Sequence, residues 1–342
     1  PKLLNGLWQM SSSAWGSASH LEQRTAFVKL IESGLVAADM ADHYGDAELV
    51  WGVLRNCLEP KIGDRVIAIS KWCIFRPLDV PVTSEFVLSK VKERCRRLRG
   101  RVELLQFHWY NYSDKAYLSI ILELVKITQS HPHLVSNIGL CNFDSEHTEE
   151  VAKYLLEVIG EVGIVSNQVQ FSLIDARPTI KMLEVCNKYD IKLLTYGSFL
   201  GGFISEKWLG RKSPDIYSEV ESLTPSQRKY FDMIMKWGTW TEFQALLHTL
   251  QSIAIKHTSQ SNSGRPLTLT NVAIRWVLDH REVGSVIVGT RLGVSNHVHE
   301  NSGVFGFELD AEDRCQLKEW TSGERVRRVF GLVGDCGSEY KY

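Results

Sequence analysis

Neither sign of charge is in excess in this 342-residue sequence, which contains 39 Lys and Arg residues and 40 Asp and Glu residues. A formal charge of −1 gives no electrostatic reason to expect a nucleic acid or an anionic membrane as partner. The sequence also lacks any apolar run approaching the ~18 residues needed to cross a bilayer, and its first residues do not resemble a secretory leader. We therefore expect a soluble protein whose partner is a small molecule, and the composition leaves its oligomeric state open.

Paired cysteine motifs are absent as well. The cysteines are Cys57, Cys73, Cys95, Cys141, Cys186, Cys315 and Cys336, with no Cys-x-x-Cys spacing among them. Their odd number and their spacing argue against a disulfide framework and against a structural zinc site, and favour a reducing, cytoplasmic compartment. The two His-x-His pairs, at residues 131–133 and 297–299, lack a third ligand or a shared helical face. We therefore predict no metal site.

Short apolar runs alternate with longer amphipathic stretches along the sequence, as in repeated βα units. The predicted strands are residues 6–10, 36–40, 66–71, 104–109, 136–141, 164–169, 192–197 and 284–289. The predicted helices are residues 20–33, 45–56, 84–99, 116–130, 144–159, 178–189, a longer set within 226–280, and 295–305. Strands that are apolar on both faces, with helices between them, predict an α/β fold, a closed (β/α)8 TIM barrel that forms one domain over residues 1–342.

Two features add to this repeat. The longest interruption lies between residues 197 and 265. Because long insertions between barrel units usually shape the active-site mouth, we expect long loops at the C-terminal face of the barrel. A further C-terminal helix, at about residues 310–322, is predicted as an appendage after the last unit.

Four polar side chains are predicted near the carboxyl ends of three consecutive strands, where barrel enzymes hold their active sites. Asp39 ends the second strand and Tyr44 follows it, while Lys71 and His108 end the third and fourth. Reduction of a carbonyl by hydride needs a proton donor at the oxygen, and a tyrosine can serve when a nearby ammonium stabilises its phenolate form. We expect Lys71 to supply that charge, Asp39 to hold the lysine, and His108 to donate a hydrogen bond to the carbonyl oxygen.

These residues resemble the aldo-keto reductases, and the resemblance extends from residue 6 to about residue 314. The family pattern of Asp, Ala and Tyr-Gly appears here as Asp39, Ala41, Tyr44 and Gly45. The resemblance implies that a catalytic tetrad is formed by Asp39, Tyr44, Lys71 and His108. A Gly-x-Gly-x-x-Gly fingerprint is absent, which weighs against a Rossmann fold.

The resemblance also implies an NADP(H) site along the later strands. Residues 137–143 (NIGLCNF) resemble the family's Gly-Val-Ser-Asn-Phe segment, with Cys141 in place of the serine. In that case Asn142 and Gln168 bond the nicotinamide amide, Tyr196 stacks on its ring, and Arg291 pairs with the 2′-phosphate. The full set of implied cofactor-binding residues is Trp8, Asp39, Cys141, Asn142, Gln168, Tyr196, Gly197, Ser198, Phe199, Leu200, Gly201, Gly289, Arg291, His297 and Asn301.

One spacing departs from many family members. Arg291 and His297 are six residues apart, two more than is common in the family. The longer form, together with the segment WGTWTEFQALL at residues 237–247, is similar to a subgroup of plant, fungal and cyanobacterial members. The arginine still favours NADP(H), because a guanidinium gains little from a bare ribose hydroxyl.

The substrate pocket is predicted to be aromatic. Its expected lining residues are Trp8, Tyr44, Trp72, His108 and Trp109, which favour bulky apolar or aromatic carbonyls. The basic run at residues 92–101 is interpreted as the solvated face of a helix rather than a nucleic-acid site.

The sequence therefore favours NADPH-dependent reduction of an aldehyde or ketone, or the reverse oxidation of an alcohol. Two other functions remain open. The first is a cofactor-binding regulatory subunit with little turnover, which an intact tetrad does not exclude. The second is a non-redox lyase or isomerase in which Tyr44 and Lys71 transfer protons beside a spectator cofactor.

Overall fold

The computed structural model describes residues 1–11, 16, 18–215, 223–260, 266–294 and 297–341. Eight parallel strands close into a barrel in sequence order, and β1 pairs with β8 to complete it. The strands are β1 Leu3–Gly6, β2 Ala37–Asp39, β3 Ile67–Cys73, β4 Leu104–His108, β5 Ile138–Cys141, β6 Ile164–Gln170, β7 Lys192–Tyr196 and β8 Val283–Gly289. The predicted (β/α)8 barrel is confirmed.

Helices connect the strands. They are α1 His20–Glu32, α2 Ala47–Asn56, α3 Pro60–Gly63, α4 Ser84–Arg97, α5 Ala116–Ser130, α6 Ser145–Ile159, α7 Met182–Tyr189, α8 Pro225–Trp237, α9 Trp240–Gln260, α10 Leu269–Leu278, α11 Val298–Ser302, α12 Ala311–Thr321 and α13 Glu324–Val333. Several begin after a side chain that accepts a backbone N–H of the first turn, as Ser19 does for α1 and Asp144 for α6. Across the described ranges, none of these helices combines the length and the apolar character needed to span a bilayer.

The first strand is not where the sequence predicted it. Residues 6–10 were expected to form it, but β1 is Leu3–Gly6 and residues Trp8–Ser11 form a 3-10 helix. Leu3 and Leu4 pair with Val286 and Ile287 of β8, and both leucines are buried. Gly6 ends the strand where a β-carbon would lie 2.6 Å from the Ile287 side chain. The pairing with β8 therefore selects the earlier apolar run.

The segment after β7 and the C-terminal region hold most of the other differences. Residues 197–215 form turns and short 3-10 helices, and α8 and α9 follow; residues 216–222 and 261–265 lie outside the described part. The helix predicted at 295–305 begins on residues that are not described, and α11 occupies its middle. The appended helix is confirmed as α12, but α13 and a 3-10 turn at Ser338–Tyr340 follow it and were not predicted.

The barrel interior is layered by the pleat of the strands, in which alternate side chains point inward. One level is apolar and is formed by Leu4, Ala37, Ile69, Leu104, Leu194 and Ile287. Two residues further along the same strands lie Gly6, Asp39, Lys71, Gln106, Tyr196 and Gly289. The polar level therefore sits on an apolar floor, towards the carboxyl ends of the strands.

Candidate active site

Asp39, Lys71 and Tyr44 meet at this polar level. The Lys71 Nζ lies 2.5 Å from Oδ2 of Asp39 and donates to the backbone oxygen of Met40 at 2.9 Å. The same Nζ lies 3.5 Å from the hydroxyl of Tyr44, which is carried by the turn after β2. Asp39 and Lys71 are only 3% and 2% exposed. A buried, ion-paired ammonium therefore contacts the phenol.

Burial dominates the acid–base properties of this group. It raises the pKa of the Tyr44 phenol far above its usual value, and the Lys71 charge offsets only part of the rise. Burial alone lowers the pKa of Lys71, but the Asp39 carboxylate more than compensates, so the net pKa lies above its ordinary value. At neutral pH the lysine is charged and the tyrosine carries its proton. The expected lowering of the Tyr44 pKa by the Lys71 charge is present, but it is smaller than the rise caused by burial.

Two glutamines hold the Asp39 carboxylate from the other side. Gln106 and Gln168 each donate an amide N–H to Oδ1 of Asp39, at 2.9 and 2.7 Å, and Gln168 also donates to Gln106. Sequence reasoning missed Gln106, although it precedes His108 by two residues and so shares the inward face of β4. Gln168 was predicted to bond a nicotinamide amide, yet its own amide N–H groups are directed to Asp39 and Gln106.

His108 lies beside this centre at the end of β4. Its Nδ1 lies 3.1 Å from the backbone oxygen of Cys141, which can only accept, so Nδ1 carries the proton. Burial, with a contribution from the charge of Lys341, lowers the pKa of His108 to about 3, and the ring is neutral near pH 7. Its Nε2 is then an acceptor. The predicted donation to a carbonyl oxygen requires the other tautomer, which gives up the bond to Cys141.

The tryptophans predicted in the substrate pocket divide into two groups. Trp8 is 39% exposed after β1, close to the mouth. Trp72 and Trp109 are 4% and 0% exposed and pack outside the barrel wall, against Phe107. They alternate with the inward-facing Lys71 and His108, so the pleat turns them towards the helices. Their assignment to the pocket was wrong for this reason.

The C-terminal tail, residues 334–341, crosses the mouth of the barrel. The Tyr340 hydroxyl lies 3.3 Å from that of Tyr196, and its ring packs edge-on against His108. Lys229 of α8 donates to the Tyr340 hydroxyl at 2.5 Å. The backbone at Gly337 lies so near Asn142 that an added β-carbon would be 2.2 Å from its oxygen. No motif in the sequence indicates this contact, and the sequence predicts no element beyond about residue 322.

Comparison with known proteins identifies the family of the chain. The model of the aldo/keto reductase family matches residues 2–321 of the sequence. The chain belongs to the aldo/keto reductase family. Solved structures with a similar fold include a protein described as a 2,5-diketo-D-gluconic acid reductase B, with a TM-score of 0.63, 19% identity, and coverage of 95% of this chain and 89% of that chain. A thermostable aldo-keto reductase in complex with the inhibitor epalrestat gives a TM-score of 0.63, 19% identity, and coverage of 94% of this chain and 95% of that chain.

A curated relative is of a different kind. Flagellar radial spoke protein 5 of Chlamydomonas reinhardtii is 28% identical to this aldo/keto reductase over 192 residues. The match covers 52% of this chain and 33% of the radial spoke protein. The matched region is therefore about a third of the length of that relative.

Members of this reductase family generally bind a nicotinamide cofactor, and the mouth contains two of the residues predicted to hold the ring. Asn142 has a positive φ of 57°, and its Oδ1 accepts from the Tyr196 hydroxyl at 3.0 Å. Within the described residues, its amide Nδ2 donates to no acceptor. Cys141, beneath them, is buried, and burial raises the pKa of its thiol to about 12. The donor that a carboxamide oxygen needs is thus present at Asn142.

The glycine-containing segment after Tyr196 is shaped by packing against α8. Gly197 and Gly201 have positive φ values of 75° and 62°, and a β-carbon on either would lie within 2.7 Å of a side chain of α8. The Ser198 hydroxyl is buried and donates to the oxygen of Phe171. Leu200 is also buried, whereas Phe199 is half-buried. Contacts from Ser198 or Leu200 to a pyrophosphate are therefore limited to their backbone.

The predicted adenosine segment follows β8 in the reductase. Gly289 is exposed, and a β-carbon there would meet Gln9, whose side-chain oxygen is buried without a hydrogen-bond partner. Arg291 is half-buried and Asn301 is half-buried. His297 lies 3.1 Å from a carboxylate oxygen of Glu300, which raises the pKa of the histidine. Residues 295–296, between these positions, lie outside the described part.

Two clusters in the described residues have donor types suited to a metal ion: Asp42, His43 and Cys73, and His257, Asp310 and Asp313. In each cluster a positively charged side chain already lies within ion-pair distance of a carboxylate that a metal ion would need. Arg94 is 3.5 Å from Asp42, and Lys256 contacts both aspartates of the second cluster. Because these charges oppose a cation, we propose no metal at either cluster, and the absence of a metal site stays a prediction.

Proposed function

We propose that this aldo/keto reductase reduces an aldehyde or ketone to the alcohol with NADPH, or catalyses the reverse oxidation. One observation carries the proposal: the Lys71 ammonium lies between the Asp39 carboxylate and the Tyr44 hydroxyl at the carboxyl ends of the strands. A phenol held beside a buried positive charge can give up a proton and be stabilised as phenolate.

The residues at the mouth suit a nicotinamide dinucleotide. Asn142 has an amide N–H to donate, the ring of Tyr196 is half-buried at the mouth, and Gln9 beside Gly289 has a buried oxygen that needs a donor. When bound, the reduced nicotinamide supplies hydride to the carbonyl carbon. We assign Arg291 to the 2′-phosphate because a guanidinium binds phosphate through paired hydrogen bonds.

The residues of the chain have separate roles in the proposed reaction. Tyr44 donates its proton to the carbonyl oxygen as the carbon accepts hydride, so that the oxygen becomes the hydroxyl of the alcohol product. Lys71 stabilises the phenolate that remains, and Asp39 keeps the lysine charged and in place. Gln106 fixes the Asp39 carboxylate. We place the Nε2 of His108 as an acceptor for the alcohol hydroxyl, since Nδ1 carries the proton in this structure.

Turnover tests the proposal directly. We expect steady consumption of NADPH with an activated aromatic aldehyde such as 4-nitrobenzaldehyde, and formation of the alcohol. A chain that binds NADPH and fails to consume it with aldehydes, ketones or, in reverse, NADP+ with alcohols would contradict the proposal.

A second candidate function is supported by the radial spoke relative, whose name describes a component of a flagellar assembly. In that case the chain is a cofactor-binding subunit with little turnover. The turnover assay separates the two, because a subunit of this kind binds NADPH without consuming it.

Other properties of the chain remain proposals that rest on the sequence. We propose a single domain over residues 1–342, a cytoplasmic location and a small-molecule carbonyl or alcohol as partner. The seven cysteines are all free in this structure, which is compatible with a reducing compartment.

A further inference from the structure

The C-terminal tail places a lysine next to the predicted reaction centre. The Nζ of Lys341 donates to the backbone oxygen of Trp109 at 2.6 Å, and Trp109 directly follows His108. The same ammonium lies 4.7 Å above the ring of Tyr112 and 5.1 Å above that of Phe143. Its charge is among the causes that lower the pKa of His108. Lys341 therefore faces the side of the mouth formed by β4 and β5.

This ammonium has no carboxylate within 4.0 Å among the residues that the structure describes. Burial lowers the pKa of Lys341, and two more distant carboxylates, those of Asp144 and Glu339, act to raise it, but each of these carboxylates is hydrogen-bonded to another side chain. Asp144 bonds His147, and Glu339 bonds Arg177 through both of its oxygens. Burial of an ammonium without an ion-pair partner is unfavourable. Lys341 is half-buried, and one of the three N–H groups of its ammonium is donated to Trp109, so two remain for a ligand at the mouth among the contacts of the described residues.

We propose that Lys341 binds the carboxylate of the substrate, so that the preferred substrates are aldehydes or ketones that also carry a carboxylate group. This inference rests on the proposed carbonyl reduction. A single ammonium with one N–H already donated suits a monoanion, whereas a phosphate dianion usually meets several donors or an arginine. The aromatic faces of Tyr112 and Phe143 keep the ammonium in place without neutralising it.

The tail that carries Lys341 is fixed at its other end by a buried arginine. Arg177 donates to the backbone oxygens of Gly334 and Asp335, both at 3.2 Å, and pairs with Glu339. A carboxylate oxygen of Asp335 accepts a hydrogen bond from the backbone N–H of Ser145 at the start of α6. These bonds hold the tail before a substrate arrives, which reduces the entropy lost when Lys341 engages a ligand.

A matched pair of aldehydes tests this subsite. We compare kcat/KM for 4-carboxybenzaldehyde and for its neutral methyl ester, methyl 4-formylbenzoate. The 3-substituted isomers of both compounds are included, because they change the distance between the carboxylate and the aldehyde. Wild type should prefer the acid, and Lys341→Met should reduce that preference by about 10–100-fold, the effect expected for loss of a hydrogen bond between charged groups. Lys341→Arg should retain most of it. Turnover of the neutral ester should change by less than about threefold.

Lys181→Met is the matched control, because Lys181 is also held over an aromatic ring, at 5.9 Å from that of Phe330, but is exposed. It should leave the preference unchanged. A preference that survives Lys341→Met, or that is lost equally in Lys181→Met, would overturn the assignment of the subsite to Lys341.

A binding measurement separates this inference from the proposed function. Calorimetric titration with benzoate should show binding to wild type at least tenfold tighter than to Lys341→Met, with benzamide as the neutral comparison. If wild type consumes no NADPH with either aldehyde, the proposed reduction fails, and the titration still tests the carboxylate subsite. Equal affinity of the two proteins for benzoate contradicts the subsite whether or not turnover is seen.

Discussion

The buried pair of Lys71 and Asp39 is expected to matter for stability as well as for chemistry. Lys71→Met leaves the Asp39 carboxylate inside the barrel with two amide donors and no counter-charge. We expect a loss of about 3 kcal/mol or more in the free energy of unfolding, measured by urea denaturation. The double variant Asp39→Asn, Lys71→Met should recover at least half of this loss, because no charge is then buried.

A surface ion pair provides the control for that measurement. Lys126 pairs with Glu123 across one turn of α5, with the lysine side chain 48% exposed. Lys126→Met should cost less than about 1 kcal/mol. A loss of similar size for Lys71→Met and Lys126→Met would contradict the account of a buried, ion-paired lysine.

The neutral state of His108 leads to a second expectation at the scale of the residue. With its pKa lowered to about 3, chiefly by burial, the imidazole of His108 is neutral across the range from pH 5 to pH 8. Its ring resonances in a histidine NMR spectrum should therefore remain constant between pH 5 and pH 8. His297, whose pKa is raised by Glu300, should titrate above pH 6.5 in the same spectra. Titration of His108 near pH 6 would show that the ring is solvated.

The meeting of the four predicted side chains could be anticipated because each lies at or near the carboxyl end of a strand. Asp39 and His108 end their strands as expected, Tyr44 lies in the turn after β2, and β3 continues two residues beyond Lys71. Their catalytic roles remain proposals. The errors at Trp72 and Trp109 arose because residues were assigned to strand ends without using the inward and outward alternation of the strands. Gln106 could have been found with that rule, since it shares the inward face of β4 with His108.

Among the elements, the C-terminal tail differs most from what the sequence suggested. Periodicity predicts helices from their own residues, but the tail is held by partners far away in the chain, such as Arg177 and Trp109. The same limitation explains the first strand. Two adjacent apolar runs were available near the start of the sequence, and pairing with β8 decided between them.

Gly337 provides a test of the tail. It has a positive φ of 76°, and a β-carbon there would lie 2.2 Å from the backbone oxygen of Asn142. Gly337→Ala should therefore lift the tail from the mouth and speed hydrogen exchange of residues 334–341 by about tenfold or more. The control is Gly323→Ala, where φ is 70° and no atom lies within 4 Å of the added carbon. Unchanged exchange in Gly337→Ala would mean that the tail does not pack on Asn142 in solution.

At the scale of the whole molecule, the alternation of strands and helices was sufficient to predict the barrel. Near-continuous apolar strands require burial on both faces, and eight such units with helices between them favour closure. The barrel then places the carboxyl ends of all its strands at one mouth. Residues far apart in sequence, such as Asp39 and Gln168, come into contact there. What covers that mouth depends on contacts between distant segments, and these leave little trace in local sequence patterns.

The central claim is that Tyr44, beside Lys71, donates the proton when a carbonyl accepts hydride from the cofactor. The most direct measurement is the reduction of an aldehyde with NADPH deuterated at the transferred C4 position, by wild type and by Tyr44→Phe. The account predicts one deuterium on the carbinol carbon and a rate about 10²–10⁴-fold lower in the variant, with nucleotide binding retained. An unlabelled product, or an unchanged rate in Tyr44→Phe, would contradict it.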